Sequence, residues 1–236
     1  MAMGRLGMSL SGSQTIFHRA RGAPVDCHVL HFGEPDHYLD QCLASLESEP
    51  VNVLIVRGGF PGNIGAARSY AVSLGSAPYW TFVDADDWLA PRIAGRCTEI
   101  MDGRPELAGV YTDYRGVSPS GDLLGVARKQ DWSPMLLLAD CWAVLHYHQY
   151  RRDMSERYME GLANAPCYEE TYIAGMLARH GDFMHLPEVG YYKRDGGQSI
   201  RLQDARLLRR IYSEIAPAML EGKRRWDATR RAGSES

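Results

Sequence analysis

Short apolar segments alternate with amphipathic segments along the first half of this chain of 236 residues. Runs rich in β-branched and aromatic residues predict strands, and longer runs with an apolar residue every three or four positions predict helices. The predicted elements are a strand at 25–32, a helix at 36–49, a strand at 51–56, a helix at 66–74 and a strand at 79–83. Strands that alternate with helices form parallel βαβ units, so the sequence predicts an α/β fold with a mostly parallel sheet flanked by helices.

The second half continues this pattern with more irregular connections. We predict a helix at about 91–101, a strand at 109–114, a helix at 168–180, a strand at 185–192 and a final helix at about 202–225. A hydrophobic content of 45% is enough for one well-cored domain. The chain is therefore divided into a poorly structured lead-in at 1–24, a core domain at 25–200, and a C-terminal helix with a basic tail at 201–236.

The composition argues against several classes of protein. A formal net charge of -3 provides no general attraction to nucleic acid or to anionic membranes. The five cysteines are scattered and form no CxxC pair, so they indicate neither a zinc site nor a disulfide framework. No stretch approaches the roughly 18 apolar residues of a membrane span. These features predict a cytoplasmic protein.

The C-terminal segment is the most basic part of the chain. This segment either forms a solvated helix face or makes a weak contact with a polyanion. The polyanion would be an acceptor or the surface of a membrane, and the sequence leaves these alternatives open. Its basic residues are Arg206, Arg209, Arg210, Lys223, Arg224, Arg225, Arg230 and Arg231.

Three aspartates, Asp84, Asp86 and Asp87, follow the predicted strand at 79–83 directly. In open α/β sheets the ligand crevice lies at the carboxyl ends of the strands. Carboxylates so close together repel one another unless a cation compensates, and Mg²⁺ is typically held by one or two carboxylates plus substrate phosphates. The cluster therefore predicts a metal site for a diphosphate such as that of a nucleotide sugar, with a simple acidic turn as the alternative.

Five segments in order resemble the family-two inverting glycosyltransferases with the GT-A fold, and the resemblance covers roughly residues 25–200. They are GNIGAAR at 62–68, FVDADDWLAP at 82–91, VYTDY at 110–114, YEETY at 168–172 and YYKRDGGQS at 191–199. The resemblance implies a GT-A-like, Rossmann-related single domain. It also implies transfer of a sugar from a nucleotide-diphosphate sugar, a UDP-sugar by default, to an acceptor hydroxyl.

The family pattern assigns the donor side of the site. It implies that Asp84, Asp86 and Asp87 form the DxD-type element, in which Asp84 reaches the ribose while Asp86 and Asp87 hold Mn²⁺ or Mg²⁺ on the diphosphate. Arg68 matches an arginine of the family that contacts the nucleotide or its phosphates. A cation that bridges the diphosphate oxygens neutralises the charge that develops as the sugar–phosphate bond breaks.

Inverting transfer also needs a base that takes the proton of the acceptor hydroxyl. Family members place a Glu-Asp pair at this point, with the aspartate as the base, and this chain has Glu169-Glu170. Glu170 is therefore the position-matched base and Glu169 its neighbour. The alternative is a pair of acids that stabilises the first turn of a helix through its dipole.

The last segment departs from the family. Asp195 stands where many members have a histidine, and since aspartate ligates Mg²⁺ or Mn²⁺, Asp195 is a further candidate metal ligand. Lys193 and Arg194 are candidate clamps for the diphosphate. The glycines at 196–197 would permit a loop that closes over the donor, and an exposed turn is the alternative.

A second departure concerns the nucleotide base. Arg57 and Gly58 stand where the family carries acids that read the base, so Glu34 or Asp36 is an alternative reader. Residues 146–148 are candidates for the acceptor side. The acceptor itself stays open among a glycan, a lipid-linked sugar, a protein, a metabolite and a modified DNA base.

Two other functions compete with glycosyl transfer. A nucleotidyltransferase also uses acidic metal ligands on an α/β sheet, but it would need a basic, glycine-rich loop after the first strand, which residues 32–36 do not supply. A non-catalytic module that binds glycans or nucleic acid on the same fold is the other alternative.

Overall fold

The computed structural model describes residues 14–19, 22–195 and 204–234. Its strands are β1 Gln14–Arg19, β2 Val25–His31, β3 Val51–Arg57, β4 Tyr79–Asp84, β5 Trp88–Leu89, β6 Leu107–Val117, β7 Leu123–Ala127, β8 His148–Arg151 and β9 Asp182–Arg194. Its α-helices are α1 Asp36–Leu46, α2 Ile64–Ser73, α3 Ile93–Gly103, α4 Leu136–Ala139, α5 Arg152–Ser155, α6 Met159–Ala163, α7 Glu169–Leu177 and α8 Ala205–Ser234. A 3₁₀ turn, Glu156–Tyr158, joins α5 to α6.

The strands form one sheet in the order β1-β3-β2-β4-β8-β6-β9-β5, with β7 paired to β6. Neighbours β3, β2 and β4 run parallel, as do β6 and β9. Strand β8 lies antiparallel between these two parallel blocks and joins them. The prediction of an α/β domain with a mostly parallel sheet flanked by helices is confirmed.

Helices cover both faces of the central strands, which explains why β2, β3 and β4 are buried along nearly their whole length. On one face, Leu39 of α1 and Cys97 of α3 pack with Val29. On the other face, Ala67 of α2 and Ile173 of α7 belong to a second cluster. Because both faces are buried, the carboxyl ends of these strands are the place where loops meet to form a crevice.

The C-terminal helix is part of the core rather than an appended tail. Ile211, Ile215 and Met219 of α8 are fully buried. A methyl group added at Gly175 of α7 would lie 2.7 Å from Ile215, so the two helices are in close contact. The helix extends to Ser234, beyond the predicted end near residue 225.

Some elements differ from the sequence prediction. Strand β1 lies within the segment at 1–24, for which the sequence predicts no regular element, and it pairs antiparallel with β3. Strands β7 and β8 and the short helices α4 to α6 are also absent from the prediction. These elements are only four to six residues long, and none of them carries a run of β-branched and aromatic residues as dense as that of the predicted strand at 79–83. In the described part of the chain, no helix has both the length and the hydrophobicity needed to cross a membrane.

Candidate active site

The aspartate cluster lies at the carboxyl end of β4, as the sequence predicts. Asp84 is the last residue of the strand. The Asp87 backbone N–H donates to the Asp84 carbonyl oxygen at 3.0 Å, and this hydrogen bond closes a tight turn. Strand β5 follows at once and pairs Trp88 with Tyr192 of β9. This pairing brings the end of β9 beside the turn, where the Arg194 backbone N–H donates to Asp87 Oδ1 at 2.7 Å.

Both carboxyls of the turn hold their protons more tightly than usual. Burial, reinforced by the Asp84 carboxylate, raises the pKa of Asp86 to about 6 and that of Asp87 to about 8. The Asp87 Oδ2 atom is buried and has no hydrogen-bond partner within the described residues. The site therefore contains acceptor oxygens whose negative charge the protein leaves largely uncompensated.

This donor set suits a divalent cation that also binds phosphate. The described residues contain no group of three or more His, Cys, Asp or Glu side chains arranged to hold a metal by themselves. Mg²⁺ needs only one or two protein carboxylates when substrate phosphates supply the other ligands. The unpartnered oxygen of Asp87 and the neighbouring Asp86 meet that requirement.

Lys193 is the cation at the centre of these acids. Burial alone would lower the pKa of its ammonium, but the carboxylates around it raise the pKa overall. In decreasing order of effect, these carboxylates belong to Asp87, Asp84, Glu170 and Asp86. Lys193 is half-buried, and charges from both the aspartate turn and Glu170 act on it.

The neighbouring Arg194 has its guanidinium enclosed by protein groups. It lies 4.0 Å above the ring of Tyr38 and 5.3 Å from that of Trp88. Its Nη2 donates to Gln41 Oε1 at 2.7 Å. Arg194 therefore ties α1 to the end of β9 and holds the turn that carries Asp87.

The start of α2 positions Arg68 beside the carboxyl end of β4. The Asn63 side chain caps the helix by accepting from the Ala66 N–H at 2.9 Å. A methyl group added at Gly65 would lie 2.1 Å from the Ala165 carbonyl oxygen, so only glycine permits this approach of α2 to the segment after α6. The helix is thereby fixed at the level where Arg68 meets the core.

Arg68 joins the two acidic groups of the site. Its side chain is only 3% exposed, and Nη1 lies 2.5 Å from Glu170 Oε1 and 3.2 Å from Glu169 Oε1. Nη2 lies 3.6 Å from Asp84 Oδ1, and the guanidinium packs on the Phe82 ring at 4.7 Å. Burial by itself would lower the pKa of Arg68, but these carboxylates raise it overall, so the side chain stays charged.

The two glutamates are the first residues of α7, and both are buried. Burial raises the pKa of Glu169 to about 7, and the Glu170 charge adds to this effect while Arg68 opposes it. The residue before them, Tyr168, has a left-handed backbone with φ of 60°. Residues with a Cβ rarely adopt this conformation, so the packing around the start of α7 imposes it.

Two histidines flank the glutamate pair. His148 Nδ1 lies 3.9 Å from Glu170 Oε1, and neither ring nitrogen has a hydrogen-bond partner within the described residues. Burial lowers the pKa of His148 to about 3, so the ring is neutral. His146 stacks on Tyr191 at 4.7 Å. The histidines thus border the site, although the sequence did not indicate a contact with Glu170.

Asp195 directly follows the end of β9. It is exposed, and its backbone N–H donates to the Val117 carbonyl at 2.7 Å. Its carboxylate would lie 3.7 Å from a methyl group added at Gly116 on β6. The predicted closing loop at 196–197 and the family-matched Ser199 lie outside the described residues.

Several residues of the site were not singled out from the sequence. Tyr191 OH accepts from the Asp84 N–H at 3.1 Å and fixes the strand end. Lys129 interacts electrostatically with Glu170 and packs on the Tyr114 ring at 5.2 Å. Lys129 lies in an irregular segment, where no pattern indicates its position. Tyr191 belongs to the segment at 191–199 that resembles the family. The alternation of side chains along β9 could therefore have indicated that Tyr191 faces the site.

Comparison with known proteins supports the same interpretation. The chain is 28% identical over 136 residues to a chondroitin synthase of Pasteurella multocida (strain Pm70), and the match covers 55% of this chain and 14% of that protein. It is equally similar to a Pasteurella multocida hyaluronan synthase, with 13% of that protein covered. An Escherichia coli chondroitin synthase is 25% identical over 146 residues, which cover 59% of this chain and 20% of the relative. The chain thus spans a fifth or less of these relatives, and no family model matches it.

Solved structures show the same fold. Residues 1–349 of S. aureus TarS superpose with a TM-score of 0.59 at 10% identity, covering 82% of this chain and 64% of that one. The same protein in complex with UDP-GlcNAc gives a TM-score of 0.60 at 12% identity, covering 80% and 66%. The chain therefore has the fold of these TarS structures. The predicted resemblance to the family-two glycosyltransferases is thereby confirmed, and the order of the elements in this chain places Asp84 and Arg68 at one site.

Proposed function

We propose that this protein is a glycosyltransferase that moves a sugar from a UDP-sugar to a hydroxyl of a glycan acceptor, with inversion at the anomeric carbon and with Mn²⁺ or Mg²⁺ bound. The observation that carries the proposal is the single site in which Arg68 links Asp84 to Glu170. Donor-binding and proton-accepting groups are thereby held in one rigid arrangement. The relatives are synthases of glycans, and TarS structures contain UDP and UDP-GlcNAc, which favours a UDP-sugar donor.

On the donor side, Asp86 and Asp87 would hold the cation, and Asp84 would accept from the ribose. When bound, the cation neutralises the negative charge that develops on the departing diphosphate. Lys193 supplies a second positive charge to the same phosphates. Strand β9 turns successive side chains to opposite sides, so Lys193 points among the acids while Arg194 is held by Tyr38. This geometry favours Lys193 over Arg194 as the diphosphate clamp, and the exposure of Asp195 assigns it a minor role at most.

On the acceptor side, Glu170 takes the proton of the acceptor hydroxyl. The freed oxygen lone pair attacks the anomeric carbon from the face opposite the diphosphate, the bond from that carbon to the phosphate oxygen breaks, and UDP departs with the electron pair. The Arg68 contact at 2.5 Å fixes the orientation of the Glu170 carboxylate. Glu169 shares the same guanidinium at 3.2 Å and therefore acts as a neighbour that helps to place Arg68.

The ion pairs on the C-terminal helix α8 favour a solvated helix face over a surface that binds polyanions. Several of its basic side chains form ion pairs with acids. Arg210 pairs with Glu214 at 3.6 Å, and Lys223 pairs with Asp227 at 2.6 Å. This internal pairing reduces the positive field that would attract a membrane or a polyanion. A cytoplasmic location remains part of the proposal.

A panel of nucleotide sugars with Mn²⁺ tests the proposed reaction, with release of the nucleoside diphosphate as the readout. UDP-GlcNAc and other UDP-sugars should yield UDP in the presence of a glycan acceptor, and EDTA should stop the release. GDP-, CDP- and dTDP-sugars test whether the site recognises the nucleotide base. Glu34 is a candidate reader of the base near the donor site, because its charge raises the pKa of Asp86. A nucleotidyltransferase would instead release pyrophosphate from a nucleoside triphosphate, and a non-catalytic module would release nothing.

A further inference from the structure

An exposed tryptophan lies next to the helix that carries the glutamate pair. Trp142 is 38% exposed, although large aromatic residues usually bury most of their surface. Its ring packs against the ring of Tyr168, with 5.1 Å between the ring centroids and an interplanar angle of 34°. Tyr168 immediately precedes Glu169 in the sequence. The tryptophan is therefore attached to the first turn of α7, beside the proposed base.

The backbone of Trp142 is fixed on both sides by side chains. Its N–H donates to Asp140 Oδ1 at 2.8 Å, and its carbonyl oxygen accepts from Lys129 Nζ at 2.7 Å. In addition, the hydroxyl of Thr171, the residue after Glu170, donates to the Cys141 carbonyl at 2.6 Å. The segment that carries the exposed ring is thus tied directly to the first turn of α7.

The same contacts connect Trp142 to the electrostatics of the site. Lys129, which holds the Trp142 carbonyl, is close enough to Glu170 and Asp113 for their charges to act on it. Lys129 also affects His146, which stacks beside the crevice. Trp142 therefore lies on the Glu170 side of the site, on the segment that contacts the first turn of α7.

We propose that Trp142 is the stacking platform for a pyranose ring of the acceptor, an inference that rests on the proposed glycosyl transfer. A pyranose presents a face of C–H groups that packs on an aromatic ring, while its hydroxyls project from the edge. Tryptophan offers a large rigid contact area at low cost in conformational entropy. Because its backbone is fixed before the acceptor arrives, binding loses little additional freedom. Stacking there presents an edge hydroxyl to Glu170.

A protein partner is a weaker explanation of the exposed ring. A stable interface buries about 800 Å² on each partner. On the segment of Trp142, the structure describes one other large exposed apolar residue, Leu138, and two side chains are too small for such an interface. Leu138 provides a matched control because it is 42% exposed and lies four residues before Trp142. Trp226 on α8 is a second control, since it is a partly exposed tryptophan that packs with Arg230 on another element.

The test measures acceptor binding separately from donor binding. Methyl β-glucoside, methyl β-galactoside and methyl N-acetyl-β-glucosaminide are titrated into the full chain saturated with UDP and Mn²⁺, and binding is followed by saturation-transfer NMR. We expect the wild type to bind at least one pyranoside and Trp142→Ala to bind it at least tenfold more weakly, a loss of about 1.4 kcal/mol. Trp142→Phe, which keeps an aromatic face, should recover most of the affinity. Leu138→Ala and Trp226→Ala should match the wild type, and all variants should keep the wild-type affinity for UDP.

The possible results separate this inference from the proposed reaction. Unchanged pyranoside affinity in Trp142→Ala, or no pyranoside binding by a wild type that binds UDP, would overturn the platform and leave the reaction intact. A wild type that binds neither UDP nor UDP-sugars would overturn the proposed reaction itself. A change in molecular mass by light scattering on Trp142→Ala would instead assign the ring to an interface between copies of the chain, and would also overturn the platform.

Discussion

Arg68 and Glu170 are 102 positions apart in the sequence, yet Arg68 Nη1 lies 2.5 Å from Glu170 Oε1. This contact links the start of α2 to the start of α7 across the crevice. Arg68 is also the only positive charge that the structure shows in salt-bridge contact with both Glu169 and Asp84, within the described residues. The integrity of the site therefore depends on one buried guanidinium.

Removing that guanidinium should destabilise the protein strongly. Arg68→Met would leave buried carboxylates without their partner, a change that typically costs about 3–5 kcal/mol. Urea denaturation measures the free energy of unfolding. Arg96→Met is the matched control, because Arg96 is about half exposed and pairs with Glu188 at the surface, where an ion pair contributes about 0–1 kcal/mol. Adding Glu170→Gln to Arg68→Met should restore part of the lost stability, and equal effects of both arginine changes would refute this role of Arg68.

Removing the divalent cation should abolish tight donor binding. The diphosphate cannot approach Asp86 and Asp87 closely unless a cation compensates their charge. Calorimetry with UDP should therefore show strong binding with Mn²⁺ and weak binding with EDTA. Asp87→Ala should show weak binding even with Mn²⁺, and Asp86→Ala likewise. Asp195→Ala serves as the comparison and should keep most of the affinity because of its exposed position. Equal affinity with and without metal would rule out the proposed donor site.

Glu169 should make the stability of the protein depend on pH. Its pKa is raised from 4.5 to about 7, so between these values the folded state binds more protons than the unfolded state. The free energy of unfolding must then fall as the pH rises through this range. Glu169→Gln lacks this titration, so its stability should fall less than that of the wild type between pH 5 and pH 8. Glu99→Gln, on the exposed face of α3, should follow the wild-type profile.

The measurement for this prediction is a series of urea unfolding curves at several pH values. The difference between wild type and Glu169→Gln should be on the order of 1–3 kcal/mol across the range, since one pKa unit corresponds to about 1.4 kcal/mol. Parallel profiles for the two proteins would show that Glu169 does not titrate there. Asp86 and Asp87 titrate in both proteins, and Glu169 is not among the groups that shift their pKa values most, so their contributions largely cancel in the comparison.

Gly65→Ala should disrupt the contact that positions α2. The added methyl group would lie 2.1 Å and 2.2 Å from the carbonyl oxygens of Ala165 and Leu162, which are backbone atoms and cannot rotate away. We expect a loss of about 3 kcal/mol in thermal or urea unfolding. Gly103→Ala, at the end of α3, meets no atom within 4 Å and should be neutral or slightly stabilising. A Gly65→Ala variant as stable as Gly103→Ala would contradict the packing described for α2.

The sequence predicts the elements whose signal is local and misses those that depend on distant pairing. Strands β2, β3 and β4 each carry a local signal of β-branched or aromatic residues, and their predicted ends fall within a residue of the observed ones. Strand β1 pairs with β3, which begins more than thirty residues later, and no feature of Gln14–Arg19 alone announces this pairing.

The same distinction applies to the site. The carboxyl end of β4 follows from topology, which explains why the Asp84 cluster could be placed in a crevice from the sequence alone. The burial of Arg68 could not be predicted, because helical periodicity does not indicate which acids a distant loop will bring to it. The sequence gives no reason to choose between Lys193 and Arg194 as the diphosphate clamp. Only the pairing of β5 with β9 shows which side of the strand each side chain occupies.

The most direct test of the account compares Glu170→Gln with the wild type in steady-state transfer from the preferred UDP-sugar, with UDP affinity measured in parallel. Glutamine keeps the size of the side chain and its contact with Arg68 but cannot take the acceptor proton. We predict turnover reduced roughly 10²-fold or more with UDP affinity unchanged, and a milder loss for Glu169→Gln. Normal turnover by Glu170→Gln, with or without an inactive Glu169→Gln, would contradict the assignment of Glu170 as the base.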